Sequence, residues 1–403
     1  MQADISIVVA AYNRPQSMER LLLSLQKANY LSYQNISLII SIDYSGSDHC
    51  QKIARAFEWK FGSKEVVAHT QKMGLKNHIL SCGDMSKRFD AVIVLEDDLM
   101  VSPEFYQYAQ QAYNFYKQDN DVAGIALYNP VFNETAICPF EPVDDGFDNY
   151  FMQVPCSWGQ MWTKEQWLKF RTYVHEDAAG MQQQYLPLTV QQWPDASSWK
   201  KLFYSYLIAH KLYFVYPRIG LSTNFGDSGQ HLTEHQSVFQ TPLLLGARQF
   251  KFSTLSSAFS IYDGYFEMEG SIYNKWCNHS IEVTFDLNGT KPIASVHTPY
   301  LISSKKTKAA IKKYAVSCYP FENNILFDIK PVEGEASFFS LAQTEFFVDE
   351  QQFIRLNEDV KRVFMNNEFI KHAAVFELKK QIEFQIGAAV LRPIRILKNF
   401  FKK

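Results

Sequence analysis

Three acids, Glu96, Asp97 and Asp98, follow directly on the apolar run Ala91 to Leu95 in "AVIVLEDDLMVSPEFY". Like charges held side by side raise one another's pKa values and repel, so something positive must sit among them. Mg²⁺ and Mn²⁺ take hard oxygen ligands, typically one or two carboxylates, several waters and substrate phosphate oxygens. The triplet therefore points to a divalent cation and a phosphate-bearing ligand. An acidic surface turn is the plain alternative. A second pattern, "HLTEH" (231–235), fits the H-x-x-E-H arrangement of zinc proteases. "FGDSGQ" before it and "QSVFQTP" after it leave no long helix to carry that chemistry.

The elements around the acids alternate strand and helix. "ISIVVAAY" (5–12) and "ISLIISID" (36–43) are unbroken apolar runs rich in β-branched residues, as in parallel strands covered on both faces. Between them "RPQSMERLLLSLQKANY" places Met18, Leu21, Leu22 and Leu25 at helical spacing, with Pro15 suited to the first turn. Residues 46–62 read as a second helix with Ser47 as N-cap. "EVVAHT", the helix "GLKNHILSCGDMSKRF", "AVIVLE", the helix "PEFYQYAQQAYNFYKQ" and "VAGIALY" continue the pattern. Such alternation predicts an α/β, doubly wound, mostly parallel sheet. Ligands bind at the carboxyl ends of its strands, where the triplet stands.

Composition narrows the class. The chain has 403 residues, 47% hydrophobic and 20% charged, which fits folded domains with substantial cores. A net charge of -2 gives no general attraction to nucleic acid. Neither G-x-G-x-x-G after the first strand nor G-x-x-x-x-G-K-[ST] occurs, so dinucleotide and P-loop enzymes are disfavoured. "AAYNRP" stands there instead, without a glycine. The six cysteines form no C-x-x-C pair, which fits a reducing compartment and argues against a zinc ribbon. The start reads as a first strand and not a signal peptide, and no run of about 18 apolar residues spans a bilayer.

Strand–"AYNRP"–helix, strand–"SID" and strand–"EDD" together resemble the nucleotide-sugar glycosyltransferases of the GT-A fold, and the triplet resembles their metal-binding D-x-D motif. The variant is similar to that of N-acetylglucosaminyltransferase I and related bacterial capsule and lipopolysaccharide (family 2-like) glycosyltransferases. There E-D-D precedes "L-x-V-S/A-P-x-F", here Glu96 to Phe105. The resemblance runs through "GLKNHILSCGD", "CSWGQMWTKEQW" and "YPRIGLSTNFGDSGQH", about residues 5–235. It implies Mn²⁺ or Mg²⁺ on Asp98, with His231 a further metal or phosphate ligand, and a donor that is a UDP-sugar. Asp97 would lie near the ribose or the metal waters, with Glu96 beside the nucleotide. Asp43 would accept from the base or ribose. Ala11, Asn13 and Arg14 would line the nucleotide pocket, and Lys76 would approach the phosphates. Trp158, Gly159 and Trp162 would shape the sugar pocket.

An inverting transfer needs a carboxylate beside the attacking hydroxyl. Bacterial relatives place an acid after the tryptophan of "S-W-D", but "DASSWKK" has Lys200 there. The expectation falls on Asp195, followed by Asp227 and Glu165; Asp195 as a mere helix cap is the alternative. The acceptor would be a glycan or lipid-linked glycan of bacterial surface polysaccharide. A non-catalytic glycan-binding or assembly protein on the same scaffold is the competing class.

The expected organisation is a catalytic domain at 1–245, a β-rich accessory region at 246–350 and a helical tail at 351–403. In the accessory region "IYDGYFEMEGSIYNKW", "IEVTFDLNGTKPI" and "NNILFDIK" read as strands, with Asn288-Gly289 a turn. The end of the tail, "LKKQIEFQIGAAVLRPIRILKNFFKK", interleaves basic and bulky apolar residues. It suits short amphipathic pieces lying on an anionic membrane, hence a cytoplasmic protein bound to the inner face of a bacterial membrane.

Overall fold

The computed structural model describes residues 2–176, 185–227, 239–333 and 338–349. The 351–403 tail and the "HLTEH" segment with His231 lie outside them. The first half runs β1 (Ile5–Ala11), α1 (Pro15–Gln26), β2 (Leu38–Ile42), α2 (His49–Ala56), β3 (Lys64–Ala68), α3 (Leu75–Asp84), β4 (Ala91–Glu96), β5 (Leu99–Val101), α4 (Phe105–Tyr116) and β6 (Val122–Ala126). A short ladder of β7 (Phe132–Asn133) and β8 (Cys138–Pro139) follows. Then come β9 (Asn149–Met152), β10 (Gln160–Thr163), α5 (Lys164–Glu176), α6 (Leu188–Gln191), α7 (Trp199–His210), β11 (Tyr213–Pro217), β12 (Ser222–Asn224) and β13 (Ile261–Tyr262).

Nine of these strands form one sheet, in the order β13-β9-β11-β6-β10-β4-β1-β2-β3. Every residue of β1 and β2 is buried, as their apolar runs require. Their neighbours run parallel to them, with Ile5 opposite Ala91 and Ile7 opposite Leu38. Met18, Leu21, Leu22 and Leu25 form the buried stripe of α1, and Pro15 opens the helix where its missing N–H costs nothing. The sheet is mixed, however. β10 runs antiparallel between β4 and β6, and β9 antiparallel to β11. The second helix is also shorter than its pattern predicts: it begins after Asp48, whose side chain makes no cap, with Ser47 Oγ accepting the His49 N–H at 3.4 Å, and ends at Ala56. The aromatic stretch beyond it leaves the helix because Trp59 and Phe61 pack their rings against Tyr30, and Trp59 Nε1 donates to the Ile36 carbonyl.

A separate four-stranded sheet, β14-β15-β17-β16, comprises β14 (Val283–Asp286), β15 (Tyr300–Ser303), β16 (Lys312–Tyr314) and β17 (Phe339–Gln343). Two expected strands are partly helical: α8 (Gly270–Cys277) takes the second half of "IYDGYFEMEGSIYNKW", whose first two residues form β13, and α9 (Glu322–Leu326) takes the start of "NNILFDIK". In the second case one side chain decides the local path. Asn324 Oδ1 accepts the Ser317 and Cys318 N–H groups at 2.7 and 2.9 Å, and Nδ2 donates to the Cys318 and Phe321 carbonyls. The Asn288-Gly289 turn forms as expected, with Gly289 at φ +66°.

Beside Asn324, the Glu322 carboxyl is buried, and desolvation pushes it up to about 7 from 4.5. The native state then binds the proton more tightly than the unfolded chain, so stability falls as pH rises from about 4.5 through 7. Glu322→Gln removes that loss. The variant should gain about 1–3 kcal/mol on wild type between pH 5 and pH 8 in denaturant titrations. A difference equal at both pH values would mean that Glu322 carries no such penalty.

Candidate active site

Register brings the chemistry to one edge. Glu96 is opposite Ala10 and Ala11 opposite Ile42, so Tyr12–Arg14, Asp43 and Asp97–Asp98 leave the sheet together at the carboxyl ends of β1, β2 and β4. After the triplet, β5 pairs antiparallel with β12, Leu99 opposite Asn224. The Phe225 N–H donates to the Asp98 carbonyl at 3.0 Å, which returns the chain to the acids and sets Asp227 beside them. These residues wall a cleft of about 490 Å³.

The antiparallel strand supplies the opposite wall. Gln160 lies opposite Val94 and Thr163 opposite Ala91, so β10 presents its beginning to the cleft. Trp158 therefore lines it, in ring contact with Tyr128 at 4.9 Å and Phe239 at 4.6 Å. Gly159 is needed at φ +96°, and a Cβ there would meet Ser222 Oγ at 2.6 Å. Ser222 Oγ also donates to the Trp158 carbonyl at 2.5 Å. Glu165 follows β10 and so stands, exposed, at the far edge of the sheet from the triplet; the expectation that it serves as base is corrected. Trp162 is likewise core, fully buried against Trp167 and Phe203.

The third wall is the start of α7 with the loop before it. Ser198 caps the helix by accepting the Lys201 N–H at 3.1 Å. The buried Lys201 Nζ donates to the Gln191 and Trp193 carbonyls and pairs with Asp195 Oδ1 at 2.8 Å. That one ammonium pins the loop that carries Trp193 and Pro194 into the cleft. Asp195 itself is at the rim: its side chain is 61% exposed and absent from the lining, so its expected place beside the attacking hydroxyl is not borne by the geometry. Lys76 Nζ donates to the Asp195 carbonyl at 2.8 Å and does not line the cleft. Lys72, over the Tyr12 ring at 5.4 Å, does. Lys200 lines it too, 2.7 Å from Glu134 and close to the rings of Trp158 and Trp193.

Among the described residues five acids line the cleft (Asp43, Glu96, Asp97, Asp98, Asp227) against three cations (Arg14, Lys72, Lys200). Arg14 Nη2 pairs with Asp97 Oδ1, and Nη1 with Asp98 Oδ2 at 2.9 Å. Tyr12 N–H donates to Asp97 Oδ2 at 3.1 Å. Burial still pushes the Asp97 carboxyl up to about 6, with Arg14 opposing and Asp98 adding to the rise. Burial, then Asp98, raises Glu96 well above the usual range. The reciprocal effect on Arg14 is upward, because the carboxylates outweigh its own desolvation. Asp227 accepts from Ser17 Oγ at 2.7 Å and pairs with Arg20. Burial raises its pKa, but these bonds outweigh it and hold the group below the ordinary value.

Asp43 is only partly open to a ligand. Its Oδ1 accepts from Tyr44 and Met73 N–H, and Oδ2 accepts from Gly74 N–H at 3.0 Å, leaving about one lone pair. His78 is buried: burial brings its pKa down to about 4, and Ser41 Oγ lies 2.8 Å from Nε2. The residues that sequence reasoning missed are Tyr12, Lys72, Trp193, Asn224 and Phe239. Only the adjacency of Tyr12 to "NRP" offered a signal.

The donor set suits a hard cation. Asp98 is buried, and its Oδ1 has no hydrogen-bond partner among the described residues. No three His, Cys, Asp or Glu side chains cluster to hold an ion by themselves among those residues. An ion here would complete its shell with water and ligand oxygens, the habit of Mg²⁺ and Mn²⁺.

Residues 6–166 match the model of the family described as glycosyl transferase family 2. No curated protein matches the chain. Solved structures similar to it include a mannosyltransferase, PcManGT from Pyrobaculum calidifontis, in complex with GDP-Man and Mn²⁺, at 10% identity over 41% of this chain and 46% of that one, TM-score 0.30. GalNAc-T7 with UDP, GalNAc and Mn²⁺ is 12% identical over 54% and 42%, TM-score 0.39. S. aureus TarS 1-349 in complex with UDP-GlcNAc is 13% identical over 58% and 61%, TM-score 0.36. The chain thus spans about half the length of these proteins.

The wall at Trp158 yields a test of its own. Gly159→Ala should cost about 1–3 kcal/mol, from the left-handed backbone and the contact with Ser222. Combined with Ser222→Ala, the loss should be less than the sum of the two single losses in chemical denaturation. Strictly additive losses would show that the two positions do not press on each other.

Proposed function

We propose that this chain is a glycosyltransferase that moves a sugar from a nucleotide-sugar donor, a UDP-sugar, to a glycan or lipid-linked glycan acceptor by inverting displacement. One observation carries the reading: a buried carboxylate oxygen, Asp98 Oδ1, without a partner among the described residues, in an acid-lined cleft of a stretch that matches the family 2 model. Asp98 would hold Mn²⁺ or Mg²⁺, which when bound neutralises charge on the leaving diphosphate. Tyr12, Asn13 and Arg14 border the space for the nucleotide, and Asp43 Oδ2 retains an acceptor site for base or ribose. The faces of Trp158 and Phe239 would receive the apolar side of a sugar.

The acceptor hydroxyl must lose a proton to a carboxylate. Of the three acids expected in that role, Asp227 alone lines the cleft, and Ser17 and Arg20 keep it ionised and aimed. We assign the role to Asp227. The acceptor's connection to surface polysaccharide, and peripheral membrane attachment through 378–403, belong to the same proposal; no helix among the described residues is long and apolar enough to cross a membrane.

Asp98→Ala should abolish transfer and Mn²⁺-dependent UDP binding in calorimetry while thermal unfolding stays cooperative. Unchanged UDP affinity with metal would overturn the metal assignment. Asp227→Asn should keep donor binding and lose turnover by about 10²–10⁴-fold, the range for a positioned base. Turnover within a few-fold of wild type would remove Asp227 from the chemistry. Full-length protein showing neither transfer nor donor hydrolysis across a nucleotide-sugar panel would favour a binding protein on this scaffold.

A further inference from the structure

We propose that Arg14 is an internal counter-cation that holds the place of the divalent ion until a diphosphate arrives, so that metal and donor enter as one unit. This rests on the metal-assisted reading above. The two contacts of the guanidinium are not equivalent. Asp97, its first partner, is also fixed by the Tyr12 N–H, so it is tied to the loop after β1. Asp98, its second, has one oxygen on Arg14 Nη1 and the other buried without a partner among the described residues. Asp98 is thus half engaged.

A dication approaching Asp98 alone would meet the guanidinium beside it and would lose attraction to like charge. A diphosphate changes the balance, because its oxygens offset both cations and the planar fork of arginine matches phosphate geometry. Arg14 can keep Asp97 and exchange Asp98 for a phosphate oxygen, which frees both Asp98 oxygens. The side chain has room for this: it is 23% exposed, lines the cleft, and among the described residues its guanidinium bonds only to the two carboxylates. The consequence is thermodynamic. Mn²⁺ and diphosphate should each strengthen the binding of the other, and Arg14 should carry most of that coupling.

The test uses the full chain with Mn²⁺ alone, followed by the free-ion paramagnetic resonance signal, and with Mn²⁺-pyrophosphate, followed by calorimetry. Arg14→Ala should bind Mn²⁺ alone about 10-fold more tightly than wild type and Mn²⁺-pyrophosphate about 10-fold more weakly, within the usual span of coupling. Arg14→Met, which keeps side-chain bulk, should behave alike and serves if the alanine variant does not fold. If Arg14→Met binds Mn²⁺ alone no more tightly than wild type while Asp98→Ala fails to bind Mn²⁺-pyrophosphate, Arg14 is a fixed structural ion pair and only this inference falls. If Asp98→Ala binds Mn²⁺-pyrophosphate as wild type does, the metal reading itself falls.

Discussion

Arg14 lies between Asp97 and Asp98, and that arrangement allows carboxylates on adjacent residues to stand buried at the end of β4. Without a cation the crowding would force protonation or open the turn, since burial already lifts Asp97 to about 6 and raises Glu96 further. The constraint reaches backward in sequence. Arg14 must leave β1 at the level where Glu96 leaves β4, and the parallel register of Ala10 with Glu96 meets that condition. It reaches forward as well, because the β5–β12 pairing holds the turn from its other side. The acid turn is therefore clamped between two strand pairings and one ion pair.

The rest of the cleft follows from one departure from parallel order. A parallel strand offers its carboxyl end to the ligand edge. β10, inserted antiparallel between β4 and β6, offers its amino end instead. Trp158 and Gly159 thereby reach the cleft, while residues only a few positions later, Trp162 and Glu165, are carried into the core and to the opposite edge. The buried ammonium of Lys201 does comparable work on the third wall by collecting two carbonyls and one carboxylate from residues 191–195.

Much of the first wall was legible in the sequence. Apolar runs of strand length ending in "YNR", "SID" and "EDD" identify parallel strands and the edge at which ligands gather, and Ala11, Asn13, Arg14, Asp43 and the triplet all line the cleft. Strand direction after β6 was not legible, since a four-residue strand has the same pattern whichever way it runs. Glu165 was misplaced for that reason. Asp195 was misjudged because the ammonium that draws its carboxylate away is six residues on, and its burial depends on tertiary packing. The helical segments 270–277 and 322–326 failed similarly: short apolar–polar alternation fits both periods, and the bonds that decide, such as those of Asn324, are made by side chains.

The two arginines near the start of α1 show why one of them suits exchange and the other does not. Arg20 stacks on the Phe225 ring at 3.8 Å and pairs with Asp227, whose carboxylate is held in addition by Ser17. A ligand that competed for Arg20 would have to break stacking, an ion pair and the loop geometry together. Among the described residues the Arg14 guanidinium has only carboxylates as polar partners, and one of these keeps an oxygen unpaired. A phosphate offers it the same kind of partner that it would give up. The same helix thus fixes one acid of the cleft through Arg20 and leaves the other available through Arg14, a division that a site binding a multiply charged donor requires of its wall.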